Sequence, residues 1–220
     1  MDPVLALSTP WMIALGLAYA GSLAVAAARA PWRLLAGDPT RQHLYFAAIL
    51  LLMCLWWLRG SLAGGVDVYF LGVTALTLAF GWPLALLATL PAALGCAWVG
   101  VVPWAGVPWQ GLMAGLVPVL VTHANLRLLE RLLPPNPFVY MLGGAFFGGA
   151  LAALSGRLAG LGLLLAAGAV DGGPVVSQTL SLLMLIALPE GIINGMVVSP
   201  LVAFRPQWLL TFDAHRYFGD

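Results

Sequence analysis

Between residues 175 and 203 the chain carries a single charged side chain, Glu190, in a run made mostly of Leu, Val, Ile, Met and Ala. A helix needs about 20 apolar residues to cross the hydrocarbon of a bilayer, and this run exceeds that length. Comparable runs lie at about 11–28, 44–58, 68–81, 83–102, 109–126 and 138–168, so about seven transmembrane helices are expected. The composition agrees: 62% of residues are hydrophobic, 8% are charged and the mean hydropathy is +0.99. A soluble domain of 220 residues would still need a charged surface, so lipid must be the outer solvent. The expectation is an all-α integral membrane protein forming one transmembrane domain over 1–220.

Residues 68 to 102 form one apolar stretch interrupted only by "FGWPL", where Pro83 disfavours helical backbone at Trp82. At about 1.5 Å per residue the stretch is too long for one crossing and short for two full ones. A helix-turn-helix with one short member fits best.

Orientation follows from arginine, because cytoplasmic loops retain positive charge during insertion. With the N-terminus outside, Arg29, Arg33, Arg41, Arg127, Arg131, Arg205 and Arg216 all fall inside, leaving Arg59 and Arg157 toward the outer side. Met1 to Pro10 has no basic segment of the kind that opens a signal peptide, so the first span is read as a retained helix. The ending "FRPQWLLTFDAHRYFGD", 204–220, mixes Phe204, Trp208, Leu209 and Phe212 with Arg205, Asp213, His215 and Arg216. It reads as a short amphipathic cytoplasmic tail, either an aromatic anchor for the last helix or a docking peptide.

Several function classes drop out. The chain has no glycine-rich phosphate loop, so it does not hydrolyse ATP itself. Its nine basic residues, all Arg, form no basic run, which argues against nucleic acid. Ser155 and Ser199 have no evident histidine partner, so neither a hydrolase nor a catalytic cofactor is expected.

Glu190 is the sharpest candidate for a site. A charge at mid-membrane depth costs about 2.5–3.5 kcal/mol, so the carboxyl must face a polar interior, pair, or stay protonated. Asn194, four residues on, shares its helix face. Two roles stay open: the base of a substrate cavity or proton path with Asn194 as partner, or a hydrogen bond joining helices. Thr74, Thr77, Thr122 and Asn125 are the polar groups that could meet it. A second constellation is sulfur: Cys54, Cys96, Met113 and Met184 fall in the outer halves of their spans, and thiolate and thioether ligands suit copper(I), although such residues also fill cores. Cys54 and Cys96 both sit in apolar stretches, which indicates no disulfide scaffold. His43 and His123 lie near cytoplasmic helix ends, as capping imidazoles would.

Small residues at spacing four let helices pack closely in lipid. Ala14 and Ala18, then Ala24 and Ala28, form a stripe on the first span that a partner could face. Gly111 and Gly115, Gly144 and Gly148, Gly156 and Gly160, and Gly191 and Gly195 continue the pattern, with packing inside the chain as the plainer use.

"VYFLGVTALTLAFGWPLALLATL" (68–90), "NPFVYMLGGAFFGGAL" (136–151), "LPEGIINGM" (188–196) and "FRPQWLLTFD" (204–213) together resemble the proteobacterial energy-coupling-factor transporter permease family. That family is distantly similar to the CbiM/NikM cobalt and nickel S components. The resemblance implies an S-component-like bundle in the bacterial inner membrane, N-terminus outside and C-terminus cytoplasmic. It also implies capture of a transition-metal substrate near the outer face, with a transmembrane coupling subunit and cytosolic ATPases as partners. In the S components the metal is held by the N-terminal amine, a histidine at position two and a histidine just before a Leu-Gly pair. Here those positions read Met1 for the amine, Asp2 and Tyr69, so both histidines are absent. Asp67 could join Asp2 in an oxygen-rich site at the outer mouth, a donor set suited to harder ions than imidazole takes. The competing expectations are a stand-alone metal permease, with copper as its candidate ion, and a nontransport assembly accessory.

Overall fold

A computed structural model describes residues 7–62, 66–170 and 172–218. In chain order the main elements are α1 (Thr9–Arg29), α2 (Trp32–Ala36), α3 (Pro39–Trp57), β1 (Gly60–Leu62), β2 (Val66–Val68) and α4 (Val73–Trp98). Next come α5 (Trp104–Leu132) and α6 (Val139–Ala166), then α7 (Gly172–Phe204) and α8 (Ala214–Phe218). Local chemistry explains several starts: Pro10 lies in the first turn of α1, and Asp38 caps α3 by accepting from the Arg41 N–H at 3.2 Å, with Pro39 following.

Among the described residues, α1, α4, α5, α6 and the Val176–Phe204 part of α7 are long and apolar enough to cross a membrane. The 19-residue α3 is a sixth long helix, with Arg41 and His43 near its start. α4 is two segments in one. Gly81 adopts φ 78° and ψ 161°, a conformation nearly exclusive to glycine, and Trp82 and Pro83 begin a new segment. The "FGWPL" break therefore lies where the sequence places it, and the short member of the pair is the first, Val73 to Phe80.

Both ends of that short segment are closed by distant parts of the chain. Glu190 and Asn194 of α7 meet its N-terminus. At its other end the Leu210 N–H donates to the Ala79 carbonyl at 2.8 Å and the Thr211 hydroxyl to the Leu78 carbonyl at 2.7 Å. These are the orphan groups that every helix end leaves, satisfied here by tertiary contacts.

α4 is the most buried span and α1 the most exposed. Large apolar side chains such as Trp98, Phe204 and Leu17 are more than two-thirds exposed, as a lipid-facing surface requires. The glycine pairs serve internal packing. A methyl group at Gly191 would come within 2.7 Å of the Phe146 carbonyl oxygen, and one at Gly115 within 2.9 Å of Thr89. Gly111 abuts the Tyr19 ring, and Gly156 the Met113 carbonyl. Ala14, Ala18, Ala24 and Ala28 are exposed, so that stripe is left open on the outside of the bundle.

The tail folds back on the bundle. Leu209, Phe212 and Tyr217 are buried, and Tyr140 of α6 packs edge-on against Phe212 and Tyr217, with ring centroids 4.9 and 5.6 Å away. Arg216 lies 3.8 Å from the Glu130 carboxylate of α5.

Candidate functional site

The site is built around the loop that joins the β1–β2 hairpin to α4. In that hairpin Ser61 pairs with Asp67 and Gly60 with Val68, which brings the chain directly to Tyr69. The next residues are pinned from two sides. Glu190 Oε2 accepts from the Leu71 N–H and Oε1 from the Gly72 N–H, each at 2.8 Å. The Leu71 carbonyl accepts from the Trp56 indole N–H at 3.0 Å. Gly72 has φ 66°, the left-handed region where a side chain is strained, and a methyl there would meet Leu55 Cδ1 at 2.9 Å.

Asn194 completes the clamp. Its amide donates to Glu190 Oε1 and to the Glu190 carbonyl, both at 2.8 Å, while its Oδ1 accepts from the Ala75 N–H at 2.7 Å. Glu190 and Asn194 are 1% and 0% exposed. A carboxylate with three N–H donors at the positive end of a helix is the arrangement that compensates its desolvation. The structure thus brings these two together as the spacing predicts, and uses them on backbone. The candidate partners divide otherwise: Thr74 and Thr122 pair with each other at 2.9 Å, Thr77 donates to Val73, and Asn125 donates to Gly143.

Tyr69 sits half-buried between two guanidiniums. Arg59 lies 4.8 Å and Arg157 4.9 Å from its ring centroid. Arg157 comes from α6 and is within electrostatic reach of Glu190; its Nη2 is buried and has no hydrogen-bond partner among the described residues. Arg59 donates to the Trp56 carbonyl at 3.1 and 3.2 Å and reaches toward Cys96, which Gln110 also adjoins. Gln110 is 3% exposed and its side chain lies against Cys96.

Sequence reasoning did not single out Arg59, Arg157 or Gln110. The signal for the arginines was present, since these two are the ones that charge counting leaves on the outer side. Gln110 had none, because the burial of one amide among apolar neighbours is a property of packing. Met1 and Asp2 lie outside the described residues, and for Asp67 only the backbone is described. The four sulfur residues do not share one enclosed space: Cys96 is buried, Cys54 is exposed and Met184 is 77% exposed. Among the described residues no group of three or more His, Cys, Asp or Glu side chains could hold a metal ion.

Comparison with known proteins adds the wider context. One solved structure, described as a truncated transition metal transporter, superposes with a TM-score of 0.68 at 17% identity, covering 90% of this chain and 96% of that one. At that identity the likeness speaks to the fold. No curated protein matches the sequence. The family of cobalt uptake substrate-specific transmembrane regions, CbiM, matches residues 3–208. With nearly its whole length so matched and the same fold recovered, the chain belongs to the CbiM family.

Proposed function

We propose that the chain is the substrate-capture membrane subunit of an energy-coupling-factor type importer for a transition-metal ion of the cobalt or nickel class. It would sit in the bacterial inner membrane with its N-terminus outside, energised by a separate transmembrane coupling subunit and cytosolic ATPases. The observation that carries this reading is the family match along residues 3–208. The absence of a phosphate-binding loop from the sequence accords with energy supplied by a partner.

In this reading the ion is cargo and would be met at the outer mouth by the Met1 amine nitrogen and the carboxylate oxygens of Asp2 and Asp67, with Tyr69 at the position of the second histidine of the S components. Glu190 and Asn194 serve the mouth by holding the 71–75 backbone in place, so the two polar residues of the last span act through the loop they anchor. The exposed Ala14, Ala18, Ala24 and Ala28 stripe on α1 is the face a coupling-subunit helix would use, because small residues let backbones approach closely.

The test is accumulation of radiolabelled cobalt(II) or nickel(II) in cells stripped of their own uptake systems. The chain is expressed alone or with the coupling subunit and ATPases of its own organism. Uptake only in the complete set is expected. Uptake by the chain alone would instead make it a stand-alone permease, and uptake in neither case would point to an assembly accessory.

A further inference from the structure

The break at Gly81 changes what the last carbonyls of the Val73–Phe80 half-helix can bond to. Pro83 has no N–H to offer Ala79, four residues back. The tail supplies donors instead: the Leu210 N–H reaches the Ala79 carbonyl at 2.8 Å and the Thr211 hydroxyl the Leu78 carbonyl at 2.7 Å. A hydroxyl has one proton, and that of Thr211 is given to Leu78. The Tyr140 hydroxyl is therefore the donor in its 2.7 Å contact with Thr211, and the order Tyr140 to Thr211 to Leu78 is fixed.

The groups that hold the two ends of the half-helix belong to one continuous stretch of chain, 190–211. Glu190, Asn194, Val198 and Val202 recur every fourth residue on one face of α7 and are 1%, 0%, 0% and 2% exposed. The first two bond the backbone of residues 71, 72 and 75, and the last two share an apolar cluster with Leu78, Leu209 and Phe212. From Asn194 to Phe204 α7 advances about 15 Å, against about 12 Å for Val73–Phe80. The stretch is thus long enough to run beside the half-helix and pass under its end, turning at Pro206–Trp208. Bracketed in this way, the half-helix is a strut with the Tyr69 loop at one end and the tail at the other. Close-packed, hydrogen-bonded elements transmit strain, so a shift of one end is passed to the other.

We propose that Thr211 is a positioning residue for the substrate loop: through the Val73–Phe80 strut the tail sets where residues 69–72 stand, so that seating of the tail and capture of the ion are coupled. The ion and its entry at this loop rest on the metal-uptake reading above; the link between tail and loop does not. By linkage, an ion that needs the loop in place favours the seated tail by the same factor as the seated tail favours the ion.

Hydrogen exchange of the full chain in detergent, read by mass spectrometry with and without cobalt(II) chloride, tests this. The Leu71 and Gly72 amides are bonded to Glu190, so their exchange reports the far end of the strut. Thr211→Val, which keeps the shape and removes the hydroxyl, is expected to speed exchange over residues 69–75 at least about three-fold. The amides of α1 should be unaffected, and Thr211→Ser should restore the wild-type rate. Should Thr211→Val not fold, Tyr140→Phe, which removes only the hydroxyl that donates to Thr211, is expected to speed the same amides. Cobalt(II) should slow exchange over residues 209–212 of the wild type. Faster exchange confined to the tail, or spread equally to α1, would overturn the link. So would calorimetrically detected binding of cobalt(II) that leaves the tail's exchange unchanged. A response of residues 69–75 to Thr211→Val, with no binding of cobalt(II), would keep the strut and remove the metal reading.

Discussion

Glu190 is an acidic residue whose hydrogen-bond donors are all backbone or amide N–H groups. Its two carboxylate oxygens share three N–H donors, two of them from consecutive peptides ahead of α4. Replacing it with Gln turns one acceptor into a donor, so one of the Leu71 and Gly72 N–H groups would then face an NH2. A charge-assisted hydrogen bond contributes about 1.5–3 kcal/mol, and Glu190→Gln should destabilise by roughly that amount, read as a lower thermal midpoint in detergent. Glu190→Ala strands three donors and should cost more, reducing the yield of folded protein. If Glu190→Ala folded with wild-type stability yet failed to transport, the carboxyl would instead be acting on substrate directly. The Glu190–Asn194 pairing was legible from a spacing of four. Its backbone partners were not, because any residue type supplies an N–H and only folding decides which one arrives.

At the scale of elements, the Val73–Phe80 segment is too short to hold itself. A helix of this length is marginal in isolation, and it persists because α7 closes its first turn and residues 210 and 211 close its last. Gly81 makes the reversal possible. Gly81→Ala would force a side chain into a conformation costing about 1–3 kcal/mol, with the nearest outside atom, Leu210 Cδ2, already at 3.7 Å. The expected result is a thermal midpoint several degrees lower, whereas Gly16→Ala, at a position with open space around it, should be neutral. The break itself was readable, since Gly followed by Trp-Pro interrupts a helical pattern. That the half-helix precedes the break followed only from where its capping groups lie.

For the whole molecule, the tail is a structural part of the bundle. Leu209, Phe212 and Tyr217 fill a cleft against Leu78, Leu126 and Tyr140. Removing residues 205–220 would uncover those side chains and release the Leu78 and Ala79 carbonyls. We expect such a truncation to lose folded monomer in size-exclusion chromatography, while Phe204→Ala, at a side chain 79% exposed, behaves as wild type. Orientation is tested at the same scale. A fluorescent reporter fused after Asp220 should be active in the cytoplasm, and a periplasm-dependent reporter there should be silent; the reverse would invert the topology.

The amino-acid sequence by itself determined the solvent, the approximate number of apolar segments, the split of α4 and the polar pair on the last span. Each of these is a local or compositional property, set by hydropathy, by proline and glycine, or by the period of a helix. Only the tertiary structure decided that Glu190 and Asn194 cap a helix one hundred and more residues away, that Arg59 and Arg157 bracket Tyr69, that Gln110 is buried, and that the tail closes the bundle. The physical reason is that lipid makes nearly every helix face apolar, so hydropathy, which ranks faces in a soluble protein, no longer says which face meets which. Close glycine contacts and the demand that each buried N–H find an acceptor make that choice, and both depend on the assembled bundle.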